Sequence, residues 1–149
     1  MFLWRISNHL SLAGDGSLRT PGRWHYRGRR VVYCAQSPAA ALLEILVHLE
    51  IDIQDLPVRY RLLKIEAPDD VHVEHVSADQ LPAAWLKRTE VTRALGHSWL
   101  TRGSAALLSV PSAIIPETFN VLLNPVHQDA KRIVIVQAGE YAIDPRLLK

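Results

Sequence analysis

The stretch Val31-Val32-Tyr33-Cys34-Ala35-Gln36-Ser37-Pro38-Ala39-Ala40-Ala41-Leu42-Leu43-Glu44-Ile45-Leu46-Val47-His48-Leu49 spells out a strand, a helix and the boundary between them. Val31 to Ala35 is rich in strand formers. Ser37 offers a side-chain oxygen for capping, and the fixed φ of Pro38 suits the first helical position. Leu42, Ile45, Leu46 and Leu49 recur at helical spacing, so they are expected to form the core face, and the helix is expected to finish before Pro57.

Upstream of that unit, Phe2 to Ser7 reads as a first strand, and Asn8 to Gly28, with four glycines and a proline, as a long irregular connection of the kind that often carries function. Downstream, Val58 to Ala67 and Val71 to Val76 read as strands separated by the turn-like Pro68-Asp69-Asp70, an expected hairpin. Thr89 to Thr101 places Val91, Leu95, Trp99 and Leu100 near one helical face, with Gly96 weakening the pattern and Gly103 as a stop. Ala105 to Val110, Phe119 to Leu123, Ile133 to Val136 and Tyr141 to Ile143 return to strands, punctuated by Pro111, Pro116, Pro125 and Gly139. No repeat or linker interrupts the chain. The pattern predicts one α+β domain over residues 1–149 with a mixed or antiparallel sheet.

Composition narrows the class. A chain of 149 residues, 48% hydrophobic with both charge signs present, is that of a folded globule with a single core. The one cysteine, Cys34, cannot form an internal disulfide, which fits a reducing compartment and an expected cytoplasmic location. The N-terminus does not read as a signal peptide, and the apolar run from Ala39 to Ile51, interrupted by Glu44, His48 and Glu50, is too short for a bilayer, which needs about 20 apolar residues. No membrane span is expected. The net charge of +2 is weak evidence for nucleic-acid binding, yet Arg19, Arg23, Arg27, Arg29 and Arg30 cluster in one segment that could hold an anion.

Several residues could carry chemistry. Glu44 lies on a helix that is apolar almost all round, so its carboxylate would be poorly hydrated; alternatively Glu44 and His48 form a solvent-edge pair of about 0.2–0.5 kcal/mol, the commoner arrangement on pattern alone. In Gly22-Arg23-Trp24, glycine lets the backbone approach a ligand, arginine can fork onto phosphate and tryptophan can stack on a planar ring, a combination that suits a nucleotide; a solvated basic loop is the plainer alternative. Tyr33 is either a core tyrosine or one that presents its ring or hydroxyl to a substrate. Ser112, followed by His127 in Asn124-Pro125-Val126-His127, raises a serine–histidine hydrolase, but no Gly-x-Ser-x-Gly elbow is present. The seven histidines fall into no metal-ligand spacing, and no metal is expected. Nor is there a Gly-x-Gly-x-x-Gly or Walker loop.

Taken in order, Trp4-Arg5-Ile6, Gly22-Arg23-Trp24, Val31-Val32-Tyr33, Ala41-Leu42-Leu43-Glu44, Gly96-His97-Ser98-Trp99-Leu100, Val110-Pro111-Ser112-Ala113 and Asn120-Val121-Leu122-Leu123-Asn124-Pro125-Val126-His127 resemble the RES domain nearly end to end. The resemblance implies an ADP-ribosyltransferase-like fold and the toxin of a bacterial toxin–antitoxin pair that cleaves and depletes NAD. NAD is then substrate, with no cofactor. It further implies an Xre-type helix-turn-helix antitoxin, an oligomeric toxin–antitoxin complex, and contact with DNA only through that antitoxin. By the same resemblance Arg23, Tyr33 and Glu44 form the active-site set, while Arg5, Trp24, Ser112 and Asn124 bind substrate.

Two other classes remain open on sequence. A nucleic-acid-binding module or ribonuclease would use the Arg19–Arg30 segment with Trp24 and Tyr26, and its binding would fall steeply with salt. An interaction protein would use the same surface for a partner and leave NAD untouched.

Overall fold

A computed structural model describes residues 1–48 and 59–148. Strands β1 (Phe2–Ile6) and β2 (Val32–Ala35) precede helix α1, which is described from Pro38 to His48. Then come β3 (Arg59–Glu66), β4 (Val73–His75), helix α2 (Thr89–Arg102), β5 (Leu107–Pro111), β6 (Phe119–Leu123) and β7 (Val134–Ala142). The expected Leu49 contact and the helix end before Pro57 lie outside the described residues.

The strands form one seven-stranded sheet in the order β4-β5-β6-β2-β1-β3-β7. All neighbours are antiparallel except β4 and β5, so the sheet is mixed and the α+β expectation holds. Residues two apart share a face. Leu3, Val32, Cys34, Leu63, Ile65, Val121 and Leu123 therefore fill a core on one side of the sheet. Leu108, Val110 and Leu122 meet Trp24, Trp85, Trp99 and Leu100 on the other.

The start of α1 follows the local chemistry read from its sequence. The Ser37 hydroxyl accepts the Ala40 N–H at 3.1 Å, and the Ser37 carbonyl accepts the Ala41 N–H at 3.0 Å. Ala41 is the buried residue of this helix, whereas Leu42, Ile45 and Leu46 are only partly buried. Leu43 and Val47 are exposed. The α1 helix thus rests on β1 and β2 through a narrow stripe, with one flank open.

Three expectations are corrected. The Val71–Val76 stretch makes no hairpin with β3; as β4 it pairs in parallel with β5 at the far edge of the sheet. Ile133–Val136 and Tyr141–Ile143 are not two strands, because β7 runs through Gly139 and pairs along all of β3. A Cβ on Gly139 would stand 2.9 Å from the Tyr141 ring, so this glycine makes room for a side chain two residues on rather than ending the strand. Finally, α2 buries Thr92, Gly96, Trp99 and Leu100, while Leu95 is exposed. A Cβ at Gly96 would fall 1.7 Å from the Trp24 carbonyl oxygen, so the inward face is chosen by close backbone approach and not by apolar period. Gly103, at φ +61°, stops the helix as expected, its N–H donating to the Trp99 carbonyl at 3.1 Å. The Asn8–Gly28 connection is irregular apart from a 3-10 turn at Asp15–Leu18 and a bridge between Gly22 and His25. Among the described residues no helix is long and apolar enough to cross a membrane.

Candidate active site

Strands β1 and β2 pair only through Trp4↔Ala35. The sheet splits beside that pair, and a cleft of about 490 Å³ lies there, lined by Arg5, Arg23, Tyr33, Glu44, His48 and Asn120 among others. The Tyr33 carbonyl lacks a partner on the β1 side of the split, and Arg5 supplies one, donating from Nη1 at 2.8 Å. Among the described residues the buried Arg5 Nε has no hydrogen-bond partner. A donor left in that state is suited to an incoming acceptor, because a buried polar group without a partner costs free energy.

Glu44 faces the cleft from α1, and its surroundings decide between the two readings of the sequence. Its Oε1 accepts two hydrogen bonds, from the Ser112 hydroxyl at 2.8 Å and from Asn120 Nδ2 at 2.7 Å. Glu44 is thus held by β6 and by the segment just after β5, rather than paired with His48, whose side chain is exposed. Register explains why Asn120 is there: it pairs with Ala35 on β2, two residues from Tyr33, so Asn120 and Tyr33 share one sheet face, the face from which Asn120 reaches Glu44. Two donors on one carboxylate oxygen fix the group and leave Oε2 for a ligand. The buried Asn120 Oδ1 has no partner among the described residues and is a further acceptor at the same place.

Ser112 is 3% exposed and stands behind Glu44; besides donating to it, its oxygen accepts the Ile114 N–H at 3.1 Å. It does not meet His127, whose Nδ1 accepts the Asp129 N–H at 3.0 Å in a separate turn. The serine–histidine pairing is therefore not assembled. Asn124 does not line the cleft either. It sits just past β6, with Oδ1 accepting the Val126 N–H at 3.1 Å, so it shapes a turn, and Asn120 is the asparagine that reaches the cleft.

The Arg23 segment borders the cleft's other side. Arg23 donates from Nη1 to the Leu86 carbonyl at 3.1 Å and lies 5.9 Å from the Trp85 ring centre. Trp24 also borders the cleft, but the residue is 3% exposed and its ring packs against Trp85 at 6.4 Å between centroids. The sequence suggested a ring free to stack on a ligand; in the structure that ring is core. Arg29 and Arg30 turn away, the first to His97 and Thr101 and the second to Asp15 and the Ala13 carbonyl, so the arginine-rich segment does not form one continuous basic face.

Tyr33 is joined to this segment. Its hydroxyl accepts the Trp24 N–H at 3.1 Å and is 2.8 Å from His25 Nδ1. Burial pushes the phenol up to about 12, so it stays protonated through the physiological range. His25, 2% exposed, is held below the ordinary histidine range chiefly by burial, opposed by hydrogen bonds to the carbonyls of Ser17 and Thr20, with Arg93 lowering it further. From α2, Arg93 Nε donates to the Gly22 carbonyl at 2.7 Å and the Thr92 hydroxyl donates to the Arg23 carbonyl.

Sequence reasoning missed Asn120, His25, Thr92 and Arg93 as parts of this region. For Asn120 a signal existed, a polar residue at the start of an otherwise apolar strand. Thr92 and Arg93 gave none, since their partners are backbone carbonyls some 70 positions away along the chain (Gly22 and Arg93 are 71 apart).

Comparison with known proteins bears on the same elements. The sequence pattern of the RES domain matches residues 2–144. The chain is 51% identical to Toxin Res of Pseudomonas putida over 99% of each chain. It is 37% identical to the Prs ADP-ribosylating toxin of a Sphingobium species, over 98% of this chain and 96% of that one. To Toxin Res of Photorhabdus laumondii it is 35% identical over 100% of this chain and 98% of that one. The mixed α+β sheet is in keeping with the ADP-ribosyltransferase-like fold expected of such proteins. With the match spanning every strand of the sheet and the cleft between them, the chain belongs to the RES-domain family.

Proposed function

We propose that the cleft binds NAD and that the protein breaks its nicotinamide–ribose bond, acting as the toxin of a toxin–antitoxin pair. The observation that carries this reading is the Glu44 carboxylate, fixed by Ser112 and Asn120 at the wall of a cleft that also presents two arginines. In the bond cleavage the electron pair of the C–N bond leaves with nicotinamide, whose ring nitrogen loses its positive charge. The leaving group needs no proton, and the ribose carbon gains oxocarbenium character. A fixed anion beside it stabilises that charge, as in glycosidic cleavage. Glu44 Oε2 supplies the anion or holds a ribose hydroxyl, while Arg23 and Arg5 grip the pyrophosphate. An acceptor oxygen then takes the ribosyl carbon and gives up its proton to solvent.

The relative named Prs ADP-ribosylating toxin supports the use of the same bond, since transfer of ADP-ribose to any acceptor passes through this cleavage. Water, phosphate and a protein group are the three acceptors to distinguish. Incubating the purified protein with NAD, alone, with phosphate or with cell extract, tests both points. Nicotinamide release is expected in at least one condition, and its companion product identifies the acceptor: free ADP-ribose, a phosphorylated ADP-ribose or a labelled protein. Intact NAD in all three conditions would overturn the reading. The proposal extends to a cytoplasmic protein neutralised by an Xre-type antitoxin in an oligomeric complex, and co-expression with such an antitoxin tests the partner.

A further inference from the structure

Arg23 sits in a loop whose flanking backbone groups are held by four side chains from three parts of the fold. The Gly22 N–H donates to His25 Nδ1 at 3.2 Å, and the Trp24 N–H to the Tyr33 hydroxyl. The Gly22 and Arg23 carbonyls are taken by Arg93 and Thr92. His25 links these contacts, and its tautomer follows from its partners. Its Nε2 lies 3.2 Å and 3.0 Å from the carbonyl oxygens of Ser17 and Thr20, which can only accept, so Nε2 carries the proton. Nδ1 is then a lone pair, and it accepts from both Gly22 N–H and the Tyr33 hydroxyl. The Tyr33 proton is directed to His25 and its oxygen to Trp24, so the hydroxyl is engaged in holding the loop and the ring is what faces the cleft. Gly22 is required by the same closeness: a Cβ there would stand 2.5 Å from the Tyr33 oxygen and 2.9 Å from the His25 ring.

We infer that His25 is a positioning residue for Arg23: as the Nε2–H tautomer, with Tyr33, it fixes the Gly22-Arg23-Trp24 loop so that the guanidinium meets the pyrophosphate of the bound dinucleotide. This rests on the NAD reading above. Asparagine and glutamine separate the two ends of the ring. In His25→Asn the amide oxygen falls near the place of Nδ1 and can accept from Tyr33 and Gly22, whereas in His25→Gln the amide falls near Nε2 and keeps the carbonyl contacts but leaves the Tyr33 hydroxyl without its acceptor and the Gly22 N–H with the His25 backbone carbonyl alone, at 3.3 Å.

The test is calorimetric titration with NAD in a Glu44→Gln background, which removes turnover, comparing the parent with added His25→Asn, His25→Gln and Arg23→Lys. His25→Gln is expected to weaken binding about tenfold, the size of one lost hydrogen bond to a charged group. His25→Asn should stay within about threefold of the parent, and His25→Gln should cost nothing further once Arg23 is lysine. Thermal melts of the same variants check that the folded fraction is equal. Equal affinity of the parent and His25→Gln, or full additivity with Arg23→Lys, would overturn the inference while leaving the NAD reading intact. No NAD binding by the parent would overturn both. Nitrogen-15 spectra of the histidines give an activity-free check: an Nδ1–H tautomer at His25 would overturn the inference whatever the titrations show.

Discussion

The Ser112 hydroxyl donates to the Glu44 carboxylate at 2.8 Å across 68 positions of sequence, and Asn120 donates to the same oxygen. This arrangement separates the roles of the three residues. Glu44→Gln keeps size and nearly keeps shape, but removes the charge that, on the proposed NAD cleavage, the ribose would need as the bond breaks. It is expected to lower kcat by about 10²–10³-fold with little change in NAD affinity. Ser112→Ala leaves the carboxylate in place with one donor fewer, so a smaller loss, about tenfold in kcat, is expected. Steady-state nicotinamide release checks both. An effect of Ser112→Ala larger than that of Glu44→Gln would mean that the serine touches the reacting atoms itself.

Gly96 packs directly under the backbone of the Arg23 loop. Because a Cβ at this position would overlap the Trp24 carbonyl at 1.7 Å, Gly96→Ala must move α2 off the loop or bend the loop into the cleft. Helix propensity alone would favour alanine by about 1 kcal/mol. The clash is expected to win, with a net loss of about 3 kcal/mol or more and a fall in Tm of roughly 10 °C. Circular dichroism melts read the sign directly, and a raised Tm would show that the helix and loop can separate cheaply.

Much of this architecture was legible because its signals are local. The Ser37-Pro38 boundary, the Gly103 stop and the β6 limits follow from capping, left-handed geometry and turn chemistry, which act over a few residues. The edge position of β4 was not legible, since parallel pairing with β5 depends on where α2 carries the chain between them. The unbroken β7 was hidden by Gly139, which reads as a stop when the Tyr141 ring that needs its space is not in view. At the site, Glu44 could be singled out by its apolar helix, but whether it was held by partners or paired with His48 depended on Ser112 and Asn120, at 68 and 76 positions' distance. Trp24 shows the opposite failure. Its neighbours Gly22 and Arg23 suggested a ligand-stacking ring, and only the packing of Trp85 shows that the ring belongs to the core.

Buried His25 gives the fold a pH dependence whose sign is fixed. Burial is the main reason that its folded value lies below 6.5, and Arg93 acts in the same direction. As pH falls below 6.5, the unfolded chain takes up a proton before the folded one does. Stability from this residue is therefore present above that pH and is lost as pH falls toward the folded value. Protonation would also place a hydrogen on Nδ1, where Gly22 and Tyr33 already donate. Melts from about pH 8 to pH 5 should show a steeper fall in Tm for the wild type than for His25→Asn. Parallel profiles would show that His25 does not titrate differently on unfolding.

Expression in bacteria joins the chemistry to the proposed biology. If NAD cleavage in this cleft is the harmful act, the wild-type chain should arrest growth while intracellular NAD falls, and Glu44→Gln should do neither at equal abundance. Arrest by Glu44→Gln with normal NAD would sink the mechanism. The neutralising partner proposed above would have a simple route to act, since a cleft lined by Arg5 and Arg23 also suits a peptide segment ending in a carboxylate. Binding of that segment and of NAD should then be mutually exclusive. In the Glu44→Gln background, where NAD persists, titration of the purified complex should show NAD affinity reduced at least about tenfold relative to the free chain. Undiminished binding would place the antitoxin elsewhere on the surface and would leave the assignment of the cleft to be decided by nicotinamide release.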